Sequence, residues 1–120
     1  MTSILVVDDN LDNTEILARR LSRKGMDVMP CDSGHAALMI LKEKRFDVIV
    51  LDLHMPDLSG LECIDAIKKD AQNSKVPIIV FTASIDDEQH AKAMEKGALA
   101  VLEKAGDISG LLEVIQKVAA

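Results

Sequence analysis

Three aspartates and one lysine stand directly after apolar segments that have the length of β-strands. Asp8 and Asp9, Asp52, and Lys104 each follow one such segment. A carboxylate can attack a phosphoryl group and form a covalent intermediate, and a nearby cation can stabilise the added negative charge. The order of these residues along the chain therefore predicts a site that takes up a phosphoryl group.

Five apolar segments alternate with five segments of helical periodicity, which is the pattern of a parallel sheet built from βαβ units. We predict strands at about 3–7, 27–31, 47–52, 77–82 and 99–103. We predict helices at about 11–24, 34–44, 61–71, 86–96 and 107–119. The sequence thus indicates one domain over residues 1–120, with no output domain in this chain.

The strands differ in composition, and the difference predicts their order. All but the second are nearly continuous in apolar residues, as in strands that are covered by helices on both faces. Pro30 cannot donate a backbone hydrogen bond to a sheet ladder, so strand two belongs at an edge. We expect an α/β fold of the flavodoxin-like (βα)5 type, a doubly wound five-stranded parallel sheet in the order 2-1-3-4-5.

Several helix ends carry recognisable signals. Gly25 and Gly97 each follow a lysine and are typical left-handed C-terminal stops. Ser84 and the three residues after it resemble a capping box before helix four, and Asp107 is placed to cap the last helix.

The composition argues against several classes of function. The net charge is −6 and the basic residues are scattered, so we expect no nucleic-acid partner. No apolar run approaches the roughly 20 residues that cross a bilayer, and no leader pattern opens the chain, so we expect a cytoplasmic protein without membrane contact. Cys31 and Cys63 lack metal-ligand spacing and are expected to be buried, reduced side chains.

Ligands of open α/β sheets bind beyond the carboxyl ends of the strands, at the point where the strand order reverses. Strands one and three flank this point, so Asp8, Asp9 and Asp52 should share one rim of the sheet. A hard cation with oxygen ligands relieves the repulsion between close carboxylates. Mg²⁺ fits best, and it typically completes its ligand set with phosphate oxygens.

Two residues from the remaining strands complete the predicted site. Thr82 ends strand four and can donate its hydroxyl to a phosphoryl oxygen, while Lys104 can supply a positive charge to the same group. Asp52, between them, is the candidate nucleophile. Each residue alone has an ordinary structural explanation, such as capping a helix, but their coincidence at one sheet edge favours the functional one.

The chain resembles the receiver domains of bacterial two-component response regulators, including single-domain receivers of the chemotaxis type. The resemblance covers essentially the whole chain and rests on four motifs: Val6–Asn10, Asp52–Gly60, Phe81–Ser84 and Glu103–Lys104. It implies that Asp52 accepts a phosphoryl group from a histidine kinase or a histidine phosphotransfer protein. It also implies that Asp8, Asp9, Asp52 and the main-chain carbonyl of His54 hold Mg²⁺, and that Thr82 and Lys104 contact the phosphoryl group.

The resemblance further implies a signalling domain with intrinsic Mg²⁺-dependent phosphotransfer and autodephosphorylation, rather than an enzyme that acts on a separate substrate. His54 and Ser84 stand at positions that tune the phosphate lifetime in the family. The expected output surface is helix 4, strand 5 and helix 5, through which a monomer would bind a downstream protein.

Two positions vary the family's pattern. Val101 replaces the Tyr or Phe that usually rotates inward when Thr82 moves, so the aromatic switch is absent. Ala105 replaces the proline that commonly follows the lysine through a cis bond, and a cis bond before a non-proline residue costs about 3–4 kcal/mol. We predict either a trans Lys104–Ala105 peptide with a shifted loop or a strained cis bond, and signalling through a loop shift near Lys104 and helix 4.

The sequence also allows three other interpretations of the site. A degenerate receiver would bind a partner without phosphorylation. A phosphatase with an aspartate nucleophile normally carries a second carboxylate two residues later, where this chain has His54. A flavodoxin-like electron carrier needs a phosphate-binding loop after strand one, and Asp8 and Asp9 would repel that phosphate.

Overall fold

The computed structural model describes residues 1–83, 86–104 and 108–119 and consists of five strands that alternate with five helices. The strands are β1 (Ser3–Val7), β2 (Asp27–Cys31), β3 (Val48–Leu51), β4 (Ile78–Thr82) and β5 (Ala100–Glu103). The helices are α1 (Leu11–Ser22), α2 (Gly34–Glu43), α3 (Gly60–Lys69), α4 (Asp87–Lys96) and α5 (Ser109–Ala119). All neighbouring strands pair in parallel in the order β2-β1-β3-β4-β5, which confirms the predicted sheet.

Alternate residues of the central strands are buried on opposite faces of the sheet. One face, with Leu5, Ile49 and Ile78 among its residues, packs against α2, α3 and α4. The other, with Ile4 and Val48 among its residues, packs against α1 and α5. Because helices cover both faces, β1, β3 and β4 consist almost entirely of apolar residues.

Both edge strands are those that the predicted order requires, but β5 is less buried than its composition indicates. β2 lies at an edge, as the exposed Pro30 predicts. β5 forms the opposite edge, and its apolar residues Ala100, Val101 and Leu102 are only half-buried. Its apolar composition suggested full coverage, but an edge strand has a neighbouring strand on one side alone.

The helix ends agree with the glycine signals and correct one capping assignment. Gly25 and Gly97 have φ of +86° and +114°, as left-handed stops require. The predicted capping box at the start of α4 is wrong, because Asp86 is the N-cap and accepts a hydrogen bond from the N–H of Gln89 at 2.7 Å. The N-cap of α4 therefore comes two residues later in the sequence than the pattern indicated.

The remaining predictions on helix ends and connecting loops have mixed outcomes. Observed element ends lie within two residues of the predicted ones wherever the structure describes both. Ser84, Ala105 and Asp107 lie outside the described residues, and so does the Lys104–Ala105 peptide bond. Cys31 and Cys63 are buried free thiols, as predicted. None of the described helices combines the length and apolar character that crossing a bilayer requires.

Candidate functional site

Asp8 and Asp52 leave the sheet side by side. β1 pairs with β3 so that Val7 lies opposite Leu51, and the N–H of Asp52 donates to the carbonyl oxygen of Val7 at 2.9 Å. One carboxylate oxygen each from Asp8, Asp9 and Asp52 lies within 4.8 Å of the others. The acidic cluster predicted for the carboxyl edge of the sheet therefore forms.

The members of this cluster differ in exposure. Asp8 and Asp52 are 5 % and 7 % exposed, whereas Asp9 lies in solvent. His54 is also exposed, so the site opens to solvent on the side of Asp9 and His54. Beside Asp8, a cavity of about 180 Å³ extends between α1 and the sheet.

Backbone N–H groups hold both buried carboxylates. Asp8 Oδ1 accepts a hydrogen bond from the N–H of Asn10 at 3.0 Å, and Asp52 Oδ1 accepts one from the N–H of His54 at 3.1 Å. An aspartate that hydrogen-bonds the backbone two residues later forms a local turn. Each strand thus ends in a turn that fixes the direction of its own carboxylate.

Thr82 and Lys104 reach the same carboxylates from the other strands. The buried Thr82 hydroxyl donates to Asp52 Oδ1 at 2.8 Å, because β4 lies next to β3. The backbone N–H of Lys104 donates to the Thr82 carbonyl oxygen at 2.8 Å. The Lys104 ammonium forms an ion pair with Asp8 and lies 3.3 Å from Asp52 Oδ2.

The ionisation of the site follows from these contacts. Burial is the largest single influence on Asp8, and it raises the pKa of that carboxyl despite hydrogen bonds from Lys104 and Asn10. Burial also opposes ionisation of Asp52, but hydrogen bonds from His54 and Thr82 and the charge of Lys104 together lower its pKa. Burial likewise opposes the charge on Lys104, yet the two carboxylates raise its pKa. Asp52 and Lys104 are therefore charged at neutral pH.

The donor set fits a hard divalent cation. Three carboxylates face a single ammonium group, which leaves the cluster with an excess of negative charge. The raised pKa of Asp8 indicates that the neighbouring groups do not fully compensate the burial of its negative charge. A bound cation would lower this pKa. Oxygen ligands of this kind suit Mg²⁺.

Val101 and Ser84 are the two predicted residues that remain. Val101 is half-buried and packs against the core face formed with α2, α3 and α4. Ser84 lies outside the described residues. Whether either residue acts in switching or in tuning therefore stays a prediction.

Sequence reasoning missed some residues that support the site. Asn10 caps α1 and accepts a hydrogen bond from the N–H of Asn13 at 3.1 Å. Ser59 and Glu62 form a reciprocal capping box at the start of α3, which the Ser-x-x-Glu spacing signals. Asp57 contacts α2 from the loop before α3, and no local pattern indicates that contact.

The sequence and the fold both match known signalling proteins. The family model described as "Response regulator receiver domain" matches residues 4–116. The transcriptional regulatory protein ZraR of Salmonella typhimurium is 37 % identical over 114 residues, which are 95 % of this chain and 25 % of ZraR. The chain thus spans about a quarter of the length of that regulator.

Solved structures that share the fold include two response regulators. The chemotaxis protein CheY4 of Vibrio cholerae superimposes with a TM-score of 0.92 at 30 % identity, over 98 % of each chain. The response regulator TrrA of Thermotoga maritima, solved in complex with Mg²⁺ and BeF, gives a TM-score of 0.88 at 29 % identity, over 98 % of this chain and 99 % of that one. The chain belongs to the response regulator receiver domains, which act as phosphoacceptor signalling switches in two-component systems.

Proposed function

We propose that Asp52 is the phosphoacceptor and that Asp8, Asp9, Asp52 and the main-chain carbonyl of His54 hold the Mg²⁺ ion that the transfer needs. The observation that carries the proposal is the ionised, buried Asp52 carboxylate, which lies beside two further carboxylates and a lysine. The TrrA relative, which was solved with Mg²⁺ and BeF, supports the metal assignment by similarity.

The two oxygens of Asp52 differ in their availability for attack. Oδ1 accepts hydrogen bonds from the N–H of His54 and the hydroxyl of Thr82, whereas Oδ2 contacts the Lys104 ammonium at 3.3 Å. Oδ2 therefore has lone pairs free to attack phosphorus. In the proposed step, an Oδ2–P bond forms, the P–N bond of a phosphohistidine breaks, and the leaving imidazole takes a proton from solvent. Bound Mg²⁺ would offset the negative charge of the transferred group.

Thr82 and Lys104 are placed to respond to the new group. A phosphoryl group on Asp52 adds charge and acceptor oxygens beside the Thr82 hydroxyl and the Lys104 ammonium. Hydrogen bonds to a charged group contribute about 1.5–3 kcal/mol each, and reversing a 1:99 equilibrium takes about 5.5 kcal/mol. A few such bonds suffice to drive a two-state switch.

We assign the output surface to α4, β5 and α5. Only Ala93 of α4 is buried, so little packing resists movement of this helix. An ion pair of 2.7 Å between Lys96 and Asp65 joins α4 to α3. Because Val101 is aliphatic, the signal would pass through a shift of the backbone near Lys104 and α4 rather than through rotation of an aromatic ring.

The remaining assignments follow from the family. A histidine kinase or a histidine phosphotransfer protein supplies the phosphoryl group, and a downstream protein binds the output surface of a cytoplasmic monomer. His54, which is exposed, and Ser84 would tune autodephosphorylation by directing water to the phosphoryl group.

Intact-mass spectrometry tests the central assignment. The protein is incubated with phosphoramidate and Mg²⁺, in parallel with Asp52→Asn. We expect a gain of one phosphoryl group that requires Mg²⁺ and is lost in the variant, because the amide is not a nucleophile. No gain in the natural chain would contradict the proposal and favour a receiver that binds its partner without phosphorylation.

A further inference from the structure

The β3–α3 loop, residues 52–59, closes on the end of its own strand. The N–H of His54 donates to Asp52 Oδ1 at 3.1 Å, and the N–H of Gly60 donates to the carbonyl oxygen of Leu53 at 3.0 Å. A Cβ atom at Gly60 would stand 2.5 Å from the carbonyl oxygen of Asp52 and 2.6 Å from Leu53 Cα. The base of the loop is therefore held tightly at the proposed phosphoacceptor.

The tip of the same loop is tied to a different element. Asp57 Oδ2 accepts a hydrogen bond from the N–H of His35 at 3.0 Å, and Oδ1 accepts one from the N–H of Gly34 at 3.3 Å. These amides open α2, where backbone N–H groups have no partner within the helix and a carboxylate is favoured. The hydrogen bond from His35 is the main cause of the lowered pKa of Asp57, which is ionised at neutral pH.

The loop and the start of α2 are also in close contact beneath these hydrogen bonds. A Cβ atom at Gly34 would stand 2.7 Å from Cys63 Sγ and 2.8 Å from Leu58 Cβ. The first turn of α2 thus touches both the loop and α3. The loop tip packs closely on α2, and the hydrogen bonds of the Asp57 carboxylate hold it there.

The start of α2 already has its own cap. The Ser33 side chain accepts a hydrogen bond from the N–H of Ala36 at 3.1 Å, as an N-cap residue does. Asp57 is therefore not required to begin the helix. Its two hydrogen bonds instead restrain the loop that carries His54.

We propose that Asp57 is a positioning residue for the phosphoryl-transfer site: by anchoring the loop tip to α2, it holds the His54 main chain in place for metal binding. This inference rests on the proposed function of Asp52. Without the anchor, the loop samples more conformations, and the His54 carbonyl spends less time in the position that binds Mg²⁺.

The test compares Asp57→Ala with Ser33→Ala, which weakens the same end of α2 but leaves the anchor intact. Mg²⁺ affinity is measured by isothermal titration calorimetry, and the Mg²⁺ dependence of phosphoramidate labelling is followed by intact mass. Loss of a residue that orients a metal ligand costs about tenfold in affinity, so we expect this loss for Asp57→Ala, with an unchanged labelling rate at saturating Mg²⁺. Ser33→Ala should bind Mg²⁺ like the natural chain.

Asp57→Asn provides a rescue, because its amide oxygen still accepts one hydrogen bond. It should lose less affinity than Asp57→Ala, and should Asp57→Ala not fold, any loss in Asp57→Asn beyond that of Ser33→Ala supports the inference. Unchanged Mg²⁺ affinity in both Asp57 variants, or an equal loss in Ser33→Ala, would overturn the positioning role while Asp52 still accepts phosphate. A natural chain that neither binds Mg²⁺ nor gains a phosphoryl group would overturn the proposed function and this inference together.

Discussion

Two loops leave adjacent strands at the acidic edge of the sheet: the β1–α1 loop, residues 8–10, and the β3–α3 loop, residues 52–59. Each begins with an aspartate whose Oδ1 accepts the backbone N–H two residues later, at 3.0 Å and 3.1 Å. The first loop then enters α1 at once through its N-cap, Asn10, whereas the second continues past Asp57 to Ser59. Both loops therefore begin with the same kind of turn, but different groups surround the two turns.

The surroundings shift the pKa values of the two aspartates in opposite directions. Burial opposes ionisation of Asp52, but the N–H of His54, the Thr82 hydroxyl that strand order places 2.8 Å away, and the charge of Lys104 together lower its pKa. Asp8 is also paired with Lys104, but burial prevails there and raises its pKa. Two turns with the same backbone contact therefore yield a carboxylate suited to attack and one that a cation would stabilise.

The largest expected effect comes from removing the charge of the β1–α1 aspartate. Asp8→Asn should still accept a phosphoryl group at high Mg²⁺, but the Mg²⁺ concentration for half-maximal labelling should rise by about 100-fold, because a direct ligand is lost. Intact-mass labelling across a Mg²⁺ titration measures this shift. Asp12→Asn, which removes an exposed charge from the first turn of α1, is the matched control and should label like the natural chain.

A half-maximal Mg²⁺ concentration that rises no more in Asp8→Asn than in Asp12→Asn would contradict this prediction, because Asp8 would then not bind the metal together with Asp52.

A second test concerns how closely the longer loop packs on its strand. Gly60→Ala should destabilise the protein by about 2 kcal/mol, because the new methyl group meets backbone atoms of Asp52 and Leu53 that cannot move aside. Gly110→Ala, in α5, meets no atom within 4 Å and should be neutral or stabilising by about 0.5 kcal/mol. Urea unfolding monitored by circular dichroism measures both, and equal stabilities would show that the loop end yields easily.

The smallest effect is the pH dependence of the anchor in the longer loop. The pKa of Asp57 is lower in the folded chain than its ordinary value of 3.8, chiefly because of the N–H of His35. Its ionised form therefore adds stability above about pH 4, and this contribution is lost as the pH falls through the folded-state pKa. Asp57→Asn should be less stable than the natural chain at pH 7, and the difference should shrink toward pH 3.

Metal-free thermal unfolding at several pH values measures this difference. A difference in stability that stays constant from pH 7 to pH 3 would mean that Asp57 stabilises the loop through its shape rather than its charge.

Local patterns in the sequence determined much of the fold. Apolar strands of suitable length predict a buried parallel sheet, Pro30 places β2 at an edge, and Gly25 and Gly97 mark helix stops, since each of these effects depends on a few consecutive residues. The types and order of Asp8, Asp52 and Lys104 likewise predict one acidic edge, because parallel strands all end on the same side.

Other features depended on the tertiary structure. Strand order, not local sequence, brings Thr82 to Asp52, where its hydroxyl helps to lower the pKa of Asp52, whereas burial raises the pKa of Asp8. The edge position of β5 leaves its apolar residues half-buried, which composition alone did not indicate. Asp57 meets α2 only because the loop folds back over a distant helix end. Contacts between residues far apart in sequence have no periodic signature, so packing alone decided them.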